Sequence, residues 1–335
     1  EEEEGGERGG GGEGEREEGG RGREGGGKGK KKKGEEKGGG GEERRGKERG
    51  EQERKRKVRE EGEREKAAGA RLRPQTTSRQ IGILFGLSGR TPFDRWGSWQ
   101  ALADLPLEGR VARLRDPVSR ATLLAEAERS VSDGRIDWTR VYPLSDRPVR
   151  HVFTPEDSVA AIAAQRRVPV AEAILDLLVE MDGRRILTWP ILNQDLDEVL
   201  DMLSRPHVTL GLADAGAHAT LIMDASQPTF FLTHWVRDEG RFTLEDAVRR
   251  LTSEPADLFG VSDRGRLVAG GFADVNVIDL EGLALGYPEM AHDFPGGAPR
   301  WIQGADGYLQ TLVNGEVFLE SGQHTGVLAG RTVRL

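Results

Sequence analysis

Asp214 is the residue whose position most invites chemistry. It follows the apolar run Val208-Thr-Leu-Gly-Leu212 and sits in the small-residue loop Ala213-Asp-Ala-Gly-Ala-His218. A carboxylate at the end of a buried strand can take a proton from an attacking water and return it to a leaving nitrogen. It can equally cap the N-terminus of a following helix. Gly216 leaves room for a ligand and lets backbone N–H groups approach it. His218 could bind substrate or support Asp214, or serve as ordinary polar surface. Asp224 and Ser226 follow this loop and could line the same pocket, although loop polarity explains them equally well.

The remaining histidines are His151, His207, His234, His292 and His324. None pairs with another at metal-ligand spacing. His234 lies in the apolar segment Thr233-His-Trp-Val, which favours a hydrogen-bonded histidine near the core. The chain has no cysteine. That excludes disulfides, thiolate ligands and thiol nucleophiles, and it suits a cytoplasmic protein.

Alternating elements must position these residues. Ile81–Leu87 is continuously apolar and reads as a strand buried on both faces, as in a parallel sheet. Asp116-Pro117 is a helix start, with a capping side chain followed by proline at the first helical position. Thr154-Pro155 repeats the signal, and Pro169 opens a helix that Asp182-Gly183 ends. Arg185–Pro190 reads as a strand, Asn193 as the cap of the next helix, and Val208–Leu212 as another strand. Phe230–Val236 and Leu244–Leu251 read as two more helices. Strands alternating with helices predict parallel βα units. From about Arg266 the texture changes to antiparallel strands, with an Asn314-Gly315 hairpin turn.

The first 70 residues hold 21 Asp+Glu, 21 Lys+Arg and 23 Gly. Such a stretch buries too little apolar surface to offset the entropy of ordering. It is expected to be a disordered tail, reaching to about residue 76. The net charge of −8 therefore belongs entirely to residues 71–335, with 28 basic against 36 acidic groups. A mildly acidic body offers no field for phosphate backbones, so nucleic acid is disfavoured as a partner. No apolar run approaches the ~20 residues a membrane span needs.

Four segments in order resemble the D-aminoacylase or N-acyl-D-amino-acid deacylase branch of the amidohydrolases. They are Leu210–His218, Leu244–Ala256 with its Thr-Ser-x-Pro-Ala end, Asp263–Asp279, and Val313-Asn-Gly-Glu-Val317. The resemblance covers roughly 80–335 and implies an α/β fold. The expected domains are a disordered low-complexity tail at 1–76, the C-terminal part of a metal-dependent (β/α)8 TIM barrel at 77–265, and a small composite β-sandwich at 266–335.

The resemblance also implies a metal-dependent hydrolase of amide C–N bonds acting on a small acylated amine. Zinc, or another divalent metal, would be its cofactor, with Asp214 as catalytic residue and metal ligand. Gly216 and His218 would be substrate-binding. Arg264-Gly265 and Ala273-Asp274 match family positions, with a structural role expected. One departure is large: the family's first barrel strand carries a His-x-His metal pair, and this chain has none. The chain is therefore expected to be the C-terminal portion of such an enzyme. The alternatives are a catalytically inactive protein of the same fold that needs a partner, or a binding module recruited through the charged tail.

Overall fold

The computed structural model describes residues 53, 56, 57, 60–70, 72–211, 213, 215, 216 and 218–333. The chain divides into two compact units, 1–70 and 71–335. In the first, residues 60–67 are helical, within the stretch the sequence predicts to be disordered. Alternating charges supply the local reason. Lys57 meets Glu53 at 2.9 Å and Arg64 meets Glu61 at 3.2 Å, one helical turn apart. Residues 1–52 of the expected tail lie outside the described residues.

The second unit begins with β1 (Gln75–Thr76), also inside the expected tail, which pairs in parallel with β5 (Thr209–Leu210). The strand β2 (Ile81–Phe85) forms where the apolar run predicts it and is buried along most of its length. Its partner is β4 (Leu187–Leu192), and the pairing is antiparallel, with Ile83 opposite Trp189. The short β3 (Tyr142–Pro143) adds to the other edge of β4, again antiparallel. This corrects the expectation of parallel βα units. A continuous apolar run reports burial on both faces and carries no information on strand direction. Among the described residues β1–β5 is the only parallel pair, and the strands close no barrel.

Between β2 and β4 the chain builds a helical layer. It comprises α1 (Gly97–Ala103), α2 (Leu107–Arg115), α3 (Pro117–Ser132), α4 (Val159–Arg166) and α5 (Val170–Val179). Asp116 accepts a hydrogen bond from Ser119 N and starts α3, as its Asp-Pro signature predicts. Thr154 and Asp157 form a capping box around a 3-10 turn, and Ser158 caps α4. Trp99, Phe93, Leu114, Leu123 and Ile174 pack these helices against Phe85 and Leu187 of the sheet.

Asn193 does not cap α6 (Leu196–Leu203). It takes a left-handed φ of 52° and donates to Thr77 Oγ1 at 2.7 Å, while Asp195 accepts from Asp197 N and Glu198 N. After the 211–226 loop, α7 (Gln227–Phe230) runs into a π-helical segment, Phe231–Asp238, followed by α8 (Leu244–Leu251) and α9 (Ser253–Phe259). Phe230, Phe231 and Trp235 share a second core with Leu84, Ile186, Leu283 and Trp301.

The C-terminal strands are antiparallel, as their texture predicts. They are β6 (Val275–Ile278), β7 (Ala284–Leu285), β8 (Glu289–Phe294), β9 (Ala298–Ile302), β10 (Ala305–Asp306), β11 (Tyr308–Val313), β12 (Glu316–Glu320) and β13 (Gln323–His324). They form a four-stranded sheet, β13-β12-β11-β6, and two separate pairs, β8-β9 and β7-β10. Asn314 and Gly315 turn the β11–β12 hairpin with φ of 51° and 87°. Arg264 ties this turn to the preceding segment through Asp274 and, at 2.9 Å, the Asn314 side-chain oxygen. No helix among the described residues is long and apolar enough to cross a membrane.

Candidate functional site

The loop that the sequence singles out leaves β5 under tight backbone control. Thr209 N donates to Pro74 O at 3.0 Å and Gly211 N to Thr76 O at 2.8 Å. Asp214, the expected catalytic residue and metal ligand, lies outside the described residues. Gly216 and His218 both lie exposed on the loop, with left-handed φ of 91° and 51°. The carbonyl of His218 accepts from Leu221 N at 2.6 Å and Ile222 N at 3.0 Å, so this residue closes a turn. Three further bonds hold the outgoing half of the loop. Leu84 N of β2 donates to Leu221 O at 2.8 Å, and Trp301 of β9 donates through N to Ala219 O at 2.9 Å. Its indole Nε1 donates to Thr220 O at 3.0 Å.

Below that loop lies a buried polar network that sequence reading did not assemble. Asp224 and Ser226, candidate pocket residues by sequence, are instead buried and internally bonded. Arg79 Nη1 donates to Asp224 Oδ1 at 2.6 Å, with 1% and 6% of the two side chains exposed. Arg79 Nη2 donates to Ser226 Oγ at 3.0 Å, and Gly82 N donates to Asp224 Oδ2 at 2.9 Å. Ser78 Oγ and Arg79 N both donate to Gln227 Oε1, at 2.7 and 2.9 Å. Each charge is thus compensated by its partner and by hydrogen bonds, as a buried ion pair requires. Arg79 and Asp224 stand 145 positions apart, and neither lies in a patterned motif, so no spacing signal announces the pair.

A cleft of about 630 Å³ opens between the segment 148–152, the Phe230–Glu239 helical stretch and the segment 281–285. His151 and His234 both line it. His151 is only 2% exposed, and its Nε2 is buried without a hydrogen-bond partner. Its own carbonyl accepts from Gln80 Nε2 at 2.7 Å. Burial holds the His151 imidazole well below the usual histidine range, and the charge of nearby Arg79 acts in the same direction. Burial also lowers His234, whose ring lies tilted against Phe230 at 4.8 Å and edge-on to Trp235 at 4.4 Å.

A consequence for stability follows. The folded state keeps His151 neutral where the unfolded chain protonates it, so the unfolded state binds more protons below the unfolded pKa. Stability is therefore expected to fall as pH drops below about 6.5, by up to about 1.4 kcal/mol per pH unit for this group. Urea unfolding midpoints between pH 7 and pH 5 measure it, with His151→Asn flattening the slope. An unchanged slope in the variant would assign the effect elsewhere.

Among the described residues no group of three or more His, Cys, Asp or Glu could hold a metal ion. The two cleft histidines are not joined by a third ligand. The described residues therefore do not fit the zinc site that the resemblance implies.

The amidohydrolase family profile matches residues 52–318. The chain belongs to the amidohydrolase family. Within that family its homologues include D-aminoacylases and N-acyl-D-glutamate deacylases. It is 35% identical over 225 residues to a D-aminoacylase of Alcaligenes xylosoxydans xylosoxydans, which is 64% of this chain and 40% of that protein. It is 30% identical over 165 residues to an N-acyl-D-glutamate deacylase of the same organism, 49% of this chain and 31% of that one. A D-aminoacylase crystal structure aligns with a TM-score of 0.35 at 24% identity, over 65% of this chain and 46% of that structure. An N-acyl-D-glutamate deacylase from Bordetella bronchiseptica, solved with zinc and a phosphonate inhibitor, aligns with a TM-score of 0.30 at 25% identity, over 64% of this chain and 47% of that one. The chain spans less than half the length of each of these relatives.

Proposed function

We propose that the chain provides the C-terminal part of a hydrolase for non-peptide C–N bonds, of the N-acyl-amino-acid deacylase type. The observation that carries this reading is the family match over residues 52–318. The names of the two curated relatives point to the same chemistry. In the proposed reaction water adds to the acyl carbon of a small acylated amine and the C–N bond breaks. A carboxylate and a free amine leave. Asp214 takes the proton from the water and delivers it to the departing nitrogen. Gly216 and His218 flank the substrate.

Among the described residues no group of three potential metal ligands gathers, and that favours a second reading, an amidohydrolase-fold protein without catalysis of its own. One experiment separates the two. Residues 81–335 are joined to the N-terminal part of the D-aminoacylase relative, and amine release from N-acetyl-D-amino acids is followed with zinc present. The chain of 335 residues is assayed beside it, with its zinc content measured. Release by the joined protein is expected. A folded, zinc-loaded joined protein that releases no amine would overturn the hydrolase reading and leave the second.

A further inference from the structure

Four consecutive carbonyls on the outgoing side of the Asp214 loop are all engaged. His218 O accepts from Leu221 N and Ile222 N, and Leu221 O accepts from Leu84 N of β2. The two carbonyls between them, Ala219 O and Thr220 O, both go to one residue, Trp301 of β9. Its backbone N–H donates to the first at 2.9 Å and its indole Nε1–H to the second at 3.0 Å. A loop carbonyl without such a partner turns to water. Here one tryptophan takes the place of water at two successive peptide units and fixes the direction of both.

Trp301 is itself closely seated. It is 5% exposed and shares a core with Leu84, Ile186 and Phe231. Among the described residues β9 pairs with β8 alone, with Met290 opposite Trp301, so its other edge is free to present the Trp301 N–H to the loop. The turn after β2 forms the seat. Gly86 N donates to Arg90 O at 2.9 Å and Gly89 N to Gly86 O at 3.1 Å. A Cβ at Gly89 would stand 2.6 Å from the indole Cζ2 and 2.9 Å from Met290 Cε. Close approach of the indole therefore calls for glycine at this position.

We propose that Trp301 is a positioning residue for the hydrolysis, an inference that rests on the hydrolase reading of Asp214 and His218. Buried as it is, Trp301 acts through the loop and not on substrate. By pinning the two carbonyls that follow His218 it sets how that residue leaves the turn, and with it the loop on which Asp214 works. Alignment of reacting groups carries large factors in rate, so a loop free to rotate at these peptides loses turnover before it loses substrate binding.

Two measurements test it, one on the full chain and one on the joined protein. Trp301→Phe keeps an aromatic ring and the backbone N–H but removes the indole donor to Thr220 O. In the full chain, hydrogen–deuterium exchange at the Leu221 and Ile222 amides is expected to speed up about threefold to tenfold, the scale of one lost hydrogen bond. In the joined protein kcat for N-acetyl-D-amino acids falls by a similar factor, while KM changes less than about twofold. Trp138→Phe is the control. Trp138 is 6% exposed and its Nε1 has no hydrogen-bond partner among the described residues. Its variant lowers stability through lost packing and leaves both readouts unchanged. Adding Gly89→Ala to Trp301→Phe refills space that the smaller ring vacates. Stability is expected to recover, but exchange and kcat are not, since no donor returns to Thr220 O. This double variant also carries the test if Trp301→Phe alone unfolds. Unchanged exchange or unchanged kcat in Trp301→Phe, an equal response in Trp138→Phe, or recovery of kcat in the double variant would each overturn the proposal. A joined parent without activity would overturn the hydrolase reading instead, and the exchange rates would still decide whether Trp301 holds the loop.

Discussion

Replacing Asp224 by alanine is expected to lower the stability of the chain by about 3–5 kcal/mol, the scale of a buried ion pair broken on one side. The variant leaves Arg79, 1% exposed, with an uncompensated charge inside the protein, and it orphans the Gly82 N–H as well. The loss is large against the ~5–15 kcal/mol that holds a typical domain together. Urea unfolding followed by tryptophan fluorescence reads it, since Trp235 Nε1 donates to Ser78 O at 2.7 Å beside this network. A double variant carries the argument further. With Arg79→Met and Asp224→Leu together, no charge is buried and most of the loss should return. A single variant that unfolds at the wild-type midpoint would show that the pair is not the anchor described.

The second large effect is expected at Asp214. Asparagine matches aspartate in size but cannot take up a proton near neutral pH. Removal of a general acid–base group typically costs about 10²–10⁴-fold in rate. In the joined protein that restores the N-terminal part of a D-aminoacylase, Asp214→Asn should therefore reduce kcat/KM for N-acetyl-D-amino acids by about 10²-fold or more. The loss should fall mainly on kcat if the carboxylate moves protons in the transition state rather than holding substrate. Activity equal to the parent would remove Asp214 from the mechanism. A change confined to KM would reassign it to binding.

Both predictions concern carboxylates close in sequence, Asp214 and Asp224, which differ in how legible they are from the sequence. Asp214 is recognisable because its setting is local: an apolar run, a loop of alanine and glycine, and a histidine four positions on. Asp224, in Ile222-Met-Asp-Ala-Ser226, has no such setting and reads as ordinary loop polarity. Its role depends on Arg79, and the contact exists only once β2 and the 211–226 loop have come together. His151 repeats the lesson. Its neighbours in sequence give no sign that Gln80, Arg79 and Phe230 will surround it.

Sequence alone determined the features whose causes act over a few residues. The Asp116-Pro117 cap, the Asn314-Gly315 turn, the buried β2 and the change to antiparallel strands near the C-terminus are all of this kind. They arise from side-chain capping, backbone φ preference and hydrophobic pattern, which are short-range. Only the tertiary structure decided that β2 and β4, separated in sequence by five helices, pair directly and run antiparallel. It alone decided that Asn193 yields its capping role to Asp195, and that Arg79 and Asp224 are paired in the interior. Strand direction and the burial of a charge are set by which distant surfaces meet, and the free energy of that meeting is written in no single stretch of chain.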